Sequence, residues 1–548
     1  MKRFEAKKRD GLARTGVYRI DGSTISLPAA VDTDALFPAL REMALSNLPF
    51  SAPAAFAQRF PPPSAVQPVI IHPAIEPVAE SGDCVMAANW HTTLSNPRAC
   101  VDWLIALKEK VPPDTVWYAP ATALPSNVHL LCSMGFDLFD FAAVDLKSSQ
   151  GIFCMPEGEL DAGAMERGIC SCPGCAKKNL QEHNRHALNN EIARVARFIA
   201  LGRIRDLLES RCRMDAAQVA AMRHLDRNYT FMEERLPIAR SGMMRANSAE
   251  SMQRAEVIRF MDRVGTRYRP PSADVAVLLP CSAKKPYSLS QSHRKFQIAI
   301  RGRAHELIVT SPLGLVPREL ETVYPAGHYD VPVTGYWDAE ECAVIAHVLE
   351  RYFVRNKYRR VIAHLEGGAL KVAEQAAEVC GISLEYSCRE HPTSDAALNA
   401  LDAALAGERK IKDHRLAGMA SYQFNCQLDT KGVTQRGSFP EVYYSRGTNQ
   451  IFSIDTGTGL LRPTFDGWEM VPEDMRVYID DFVPEGDILA PGVVKADPEI
   501  RDGDEVLVVG AKARVTGRAA MPGREMMRSK QGVAVRTRKI KRLYNQTV

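Results

Sequence analysis

The 548-residue chain has no apolar run that approaches the ~18 residues of a membrane-spanning helix, and no signal peptide opens it. A cytoplasmic protein with no membrane partner is expected. Excess charge of one sign is also scarce: a net charge of +4 does not by itself demand a polyanionic partner. With 46% apolar and 24% charged residues, wholesale disorder is excluded. The length suits three or four domains, each with a core of its own. The thirteen cysteines are odd in number and mostly scattered. That argues against a disulfide framework and for free thiols with a metal site among them.

One cluster breaks the scatter. Cys170-Ser-Cys172-Pro-Gly-Cys175 is followed eight residues later by His183. Three thiolates and an imidazole complete a closed tetrahedral site with no position left for water, so structural zinc is expected, with His186 the rival fourth ligand. A second concentration of chemistry runs from Asp274 to Phe296, DVAVLLPCSAKKPYSLSQSHRKF. Its Val- and Leu-rich start reads as a buried strand ended by Pro280. Cys281 then stands at the strand's carboxyl edge, with Lys284, Lys285 and Tyr287 in one tight loop. Ser288 or Ser290 caps a helix that carries His293. Open α/β sheets bind ligands at that edge, although a small buried cysteine beside solvated lysines has the same composition.

Strand and helix patterns alternate from about 272 to 405. A doubly wound, largely parallel sheet is expected there, with the loops after Pro280, Ser311 and Glu366 meeting in one crevice. Gly367-Gly368 lacks the Lys-Ser/Thr of a phosphate loop. Upstream, 1–240 mixes Pro-broken loops and short apolar runs with helices read from Leu188 to Met214 and from Ala216 to about Arg235. Residues 241–271, rich at first in Gly, Ser, Met and Arg, read as a linker with one helix. Downstream, 406–472 is β-rich, and 473–548 has the short strands and Gly/Asp corners of a small barrel. Basic residues dominate the end of that barrel, among them Arg524, Arg528, Lys530, Arg536 and Arg538. They point to a phosphate-contacting surface.

Pro280, Cys281, Lys285, Pro286, Tyr287, Ser290 and His293 together resemble, without departure, the signature of the core domain of archaeosine synthase, an archaeal tRNA enzyme related to tRNA-guanine transglycosylase. RDGLARTG at 9–16 and the segment Gly135–Gly158 resemble the transglycosylase catalytic domain. So does the CSCPGC cluster, where the family's His-Asn pair favours His183. APGVV followed by GDEVLVV resembles the PUA domain of RNA-modifying enzymes. The resemblance implies an α/β multidomain protein. Residues 1–240 would be a degenerate transglycosylase-like βα barrel with zinc, 241–271 a linker helix, and 272–405 an α/β doubly wound catalytic core. A small connecting α+β domain over 406–472 and a PUA β-barrel over 473–548 would follow. The barrel is degenerate because the family's DSGGFQ segment is missing and the region is short for a closed barrel. Asp140, the counterpart of the family's nucleophile, is therefore read as structural.

The family implies an enzyme that adds an amine to the nitrile of 7-cyano-7-deazaguanine in the D-arm of tRNA. Free lysine would be the donor, and a radical-type partner enzyme would release the amidine. Cys281 is then the expected covalent nucleophile, with Lys284 or Lys285 lowering its pKa and His293 shuttling protons; direct amine attack, with Cys281 only lining the pocket, is the rival. Tyr287 and Ser290 would hydrogen-bond the imide nitrogen or the base. Glu319 and Asp330 would hold the lysine α-ammonium, and Arg318 its carboxylate. Glutamine-dependent amidotransfer, base exchange and non-catalytic tRNA binding are the alternatives; nothing in the sequence looks like a glutaminase. The oligomeric state stays open, a homodimer included.

Overall fold

The computed structural model describes residues 3–20, 22–32, 36–37, 69–71, 83–87, 95–161, 163–240, 242–331 and 336–543. The chain starts as an antiparallel ribbon of β1 (Arg3–Asp10), β2 (Ala13–Ile20) and β3 (Ser23–Leu27). β1 is bulged: Ala6 pairs with Gly16 and Lys8 with Thr15, so Lys7 is the extra residue. Next, β4 (Ala29–Val31), β5 (Val69–Ile71), β6 (Cys84–Ala87), β7 (Val116–Ala119) and β8 (Leu138–Asp140) form a parallel sheet in the order β4-β8-β7-β6-β5. Among the described residues its edges β4 and β5 do not pair with each other, so this sheet is open. A hairpin of β9 (Ile152–Met155) and β10 (Gly158–Asp161) precedes the cysteine cluster.

The apolar periodicity over Leu188–Met214 divides into helices Leu180–Ala200 and Ile204–Arg211. Gly202, at φ 66°, is a left-handed stop between them. A single helix was expected because apolar spacing continues through the break. Asn228 likewise separates Ala216–Arg227 from Tyr229–Arg235.

The stretch expected to be a linker is part of the central domain. β11 (Met244–Arg245) leads to β12 (Val275–Pro280), β13 (His305–Thr310), β14 (Gly314–Pro317) and β15 (Tyr329–Asp330), and β11 pairs in parallel with β15. With β16 (Arg360–His364) and β17 (Leu384–Cys388), the main sheet has the order β14-β13-β12-β16-β17, parallel except for β14. The chain winds outward through β13 and β14, then crosses over to β16. Winding therefore reverses between β12 and β16, and a crevice opens at their carboxyl ends. A meander of β18 (Val433–Ser438), β19 (Glu441–Arg446), β20 (Asn449–Ile454) and β21 (Leu461–Pro463) follows helix Arg415–Phe424. The last sheet is near-barrel: β22 (Arg476–Ile479), β23 (Ile488–Leu489), β24 (Val493–Ala496), β25 (Glu505–Val509), β26 (Ala513–Ala519) and β27 (Val533–Arg542), in the order β23-β27-β26-β25-β22-β24.

One apolar core runs from Ile238 through the central sheet (Leu278, Ile308, Ile362) and the meander (Phe452, Leu461) into the last sheet (Val508, Val535). The N-terminal part has separate cores. Buried ion pairs tie it to the rest. Arg240 bridges Asp10 and Glu256, Arg254 holds Glu209, and Glu233 takes Arg259 at 2.7 Å and Arg501 at 2.8 Å. Burial alone would raise the Glu233 carboxyl, but Arg259 and Arg501 outweigh it and hold the group at about 2. Among the described residues, no helix is long and apolar enough to cross a membrane.

Candidate active site and metal centre

The ligand atoms of Cys170, Cys172, Cys175 and His183 all lie within 4.8 Å of one another. A single helical turn, Pro173–Ala176, folds the cysteines back onto the start of helix Leu180–Ala200. Gly174 sits against that helix so closely that a Cβ would fall 2.3 Å from the His183 backbone nitrogen. His183 Nδ1 is 3.3 Å from Cys172 Sγ and 3.4 Å from Cys175 Sγ, while Nε2 donates to the Cys154 carbonyl at 3.1 Å. That bond fixes the tautomer and leaves the Nδ1 lone pair for a metal. Phe153 stacks on the ring at 3.7 Å, and Asn184 accepts from the Cys154 N–H at 2.8 Å. Three sulfurs and one imidazole nitrogen fit zinc in a closed site. His186 lies outside the group.

Cys281, half-buried, follows β12 at the switch point and opens on a cleft of about 710 Å³. Trp337, Glu366, Glu390 and Ser311 line the same cleft, as do Asn247 and Met252 from the supposed linker. Gly368 gives the Trp337 indole its seat: a Cβ there would meet the ring at 3.1 Å. This use of the glycine pair has no signal in the sequence, and neither does Trp337.

The rest of the motif holds the cysteine loop in place. Ser290 caps helix Gln291–Ile300, its Oγ accepting from the His293 N–H at 3.2 Å. Tyr287 is fully buried, its hydroxyl 2.6 Å from that of Tyr329, which in turn meets Thr310 Oγ1 at 2.6 Å. His293 Nε2 donates to the carbonyl of Pro280 at 3.0 Å, and Nδ1 accepts from Arg318 at 2.8 Å. Burial first, then the Arg318 charge, pushes the ring down to about 3. Both ring nitrogens are thus engaged, and through Nε2 the His293 ring holds the peptide that precedes Cys281. Arg318 is not free for a carboxylate, since Glu306 and Glu321 hold it. Glu319 faces away from the cleft, bonded to Tyr268 at 2.8 Å and His305 at 3.2 Å. Asp330 is exposed near Lys285. Lys284 is exposed, whereas the Lys285 ammonium lies 4.0 Å over the Tyr329 ring. Burial lowers the Lys285 pKa, opposed by Cys281 and Asp330.

The basic tail divides in the same manner. Arg528 donates to the carbonyls of Glu109 and Val111, Arg538 pairs with Glu505, and Arg524 pairs with Glu234 at 2.8 Å. These three are engaged within the protein. Lys530 and Arg536 are exposed, with no ion pair among the described residues.

Residues 257–405 match a family model described as a domain of unknown function (DUF5591), and 475–541 match the PUA domain. The chain is 39% identical to archaeosine synthase subunit alpha of Methanosarcina acetivorans, over 82% of this chain and 79% of that protein. It is 37% identical to archaeosine synthase of Haloferax volcanii, over 98% and 99%. The chain belongs to the archaeosine synthase family. Similarity outside the archaeosine synthases reaches tRNA-guanine(15) transglycosylase of Methanothermobacter thermautotrophicus, at 26% identity over 86% of this chain and 71% of that protein. In this archaeosine synthase relative, Asp140 is engaged by its own fold. Its carboxylate accepts from the Tyr118 hydroxyl at 2.7 Å, Ala121 N at 2.9 Å and Ala142 N at 2.8 Å.

Proposed function

We propose that this protein is a tRNA-modifying enzyme of archaeosine biosynthesis, and that its Cys281 cleft adds the side-chain amine of free lysine to the nitrile of 7-cyano-7-deazaguanine in the tRNA D-arm. One observation carries the reading: in an archaeosine synthase family chain ending in a PUA domain, the motif's single thiol opens on the switch-point cleft while its neighbours hold it still.

The Cys281 thiolate attacks the nitrile carbon. A C–S bond forms, one C–N π bond breaks, and the nitrogen takes a proton. The lysine amine then attacks the same carbon, the C–S bond breaks, and loss of the amine's proton leaves an amidine. A free ε-amine has a pKa near 10.4, so only about one molecule in 2,500 is neutral at pH 7, and a base is required. Lys285 supports that role, being close enough to Cys281 to feel its charge and shifted toward the neutral amine by burial. The Trp337 face suits stacking of the deazaguanine, and Glu366 and Glu390 suit a cationic donor. Zinc would be held by Cys170, Cys172, Cys175 and His183 and would support the fold. A radical-type partner would release the free amidine from the lysyl adduct. Base exchange is disfavoured by the engaged carboxylate of Asp140.

Incubating the protein with lysine and cyano-modified tRNA, then weighing the nucleoside, tests the reading. A gain of one lysine is expected; base exchange or an unchanged mass refutes it. Without lysine, the wild type should trap a protein–tRNA adduct that Cys281→Ser does not form.

A further inference from the structure

A second large cleft, of about 1180 Å³, lies between the N-terminal ribbon and the last sheet, far along the chain from Cys281. Eight Lys and Arg side chains line it against four Asp and Glu. Three of the arginines are committed: Arg9 to Glu525, Arg240 to Asp10 and Glu256, Arg518 to Asp455 and Glu505. Arg19 makes a surface pair with Glu5 at 3.4 Å. Lys7, Lys8, Lys530 and Arg536 remain, all exposed and without an ion pair among the described residues. Two come from each wall.

The placement of Lys7 and Lys8 comes from the β1 bulge. On a regular strand, neighbouring side chains point to opposite faces. The extra residue at Lys7 breaks that alternation, and both lysines line the cleft. Gly16 stands opposite the bulge, where a Cβ would fall 2.4 Å from the Glu5 carbonyl oxygen. Across the cleft, Arg536 lies on β27, and the Lys530 backbone N–H is fixed by Asp114 at 2.9 Å. Four cations without an ion pair among the described residues, two contributed by each wall of one elongated set of lining segments, suit successive phosphates of a chain.

We propose that this cleft is an RNA-backbone groove built jointly by the N-terminal ribbon and the PUA sheet, and that it grips the phosphates of the tRNA substrate. The inference rests on the tRNA reading above and adds the ribbon as half of the grip. Each phosphate contact releases counterions, so removing one lowers the salt slope of binding by about 1.

The test measures binding of the full-length protein to unmodified tRNA transcript across a salt series. Lys7→Gln with Lys8→Gln, and separately Lys530→Gln with Arg536→Gln, should each lower the slope by about 2. The change in affinity between about 50 and 200 mM salt then shrinks roughly 16-fold. If the PUA pair lowers the slope and the ribbon pair does not, the joint groove is refuted while tRNA binding stands. Self-association of the ribbon variant with unchanged affinity would make those lysines guards of an exposed strand edge, and also refutes the groove. A wild type that does not bind tRNA refutes both readings.

Discussion

Gly174→Ala should loosen the metal centre without touching a ligand. The added Cβ would lie 2.3 Å from His183 N, 2.7 Å from His183 Cα and 2.8 Å from the Glu182 carbonyl carbon. All three are backbone atoms, so no rotamer change relieves the overlap. Reaching ordinary contact requires the start of helix Leu180–Ala200 to recede by about 1 Å, whereas metal–ligand distances tolerate roughly 0.2 Å. Overpacking of this kind costs about 1–3 kcal/mol. Applied to the zinc-bound form, about 2 kcal/mol is a loss of roughly 30-fold in affinity. Zinc content by mass spectrometry and release to a competing chelator measure it, alongside thermal melting. A variant that keeps one zinc, the same chelator resistance and the same Tm would show that the turn and helix are not locked together by this contact.

Lys285→Met should cut turnover by about 100-fold or more while leaving tRNA affinity in place; near-normal turnover at pH 7 would remove Lys285 as the base. Acid should destabilise the fold early. Burial, with Arg318, pushes His293 down to about 3; burial, with Arg211, pushes His129 to about 4; and burial also lowers His364. His293 and His129 therefore stay neutral in the folded chain near pH 5 and gain a proton on unfolding below their ordinary 6.5, and His364 acts in the same direction. Stability is therefore full above that pH and falls toward pH 5 by about 1.4 kcal/mol per unit for each of His293 and His129. A denaturation midpoint that is flat from pH 7 to 5 contradicts this. Glu233→Gln strips the charge shared by Arg259 and Arg501. It should cost about 3 kcal/mol and split urea unfolding into two steps as the N-terminal part detaches; a single unchanged transition speaks against the seam.

The site was readable where its chemistry is local. Cys281 and Lys285 follow one strand within five residues, and the four candidate metal ligands lie within 14 residues around one turn and the helix after it. What the sequence hid is non-local. Residues 246–253 reach the cleft because two-residue β11 pairs with β15, some 85 residues away, a pairing too short to leave a periodic signal. Arg318 looked like a ligand because two of its three partners, Glu306 and His293, lie 12 and 25 residues away. The basic tail showed its charge but not its pairing, and of the five named residues only Lys530 and Arg536 have no ion pair among the described residues. The expected helix over Leu188–Met214 failed at one glycine, since apolar spacing cannot register a left-handed φ.

The continuous core also shapes the genetics of this protein. Val508 and Val535 belong to the same apolar body as Leu278, three residues before Cys281. A premature stop anywhere in the last sheet therefore removes packing from the central domain as well as one wall of the proposed groove. Such alleles should behave as nulls, with the product lost to degradation. Charge changes at Lys530 or Arg536 should behave as hypomorphs, rescued by more tRNA. A graded allelic series should map to the rim of the last sheet and an all-or-none series to its interior.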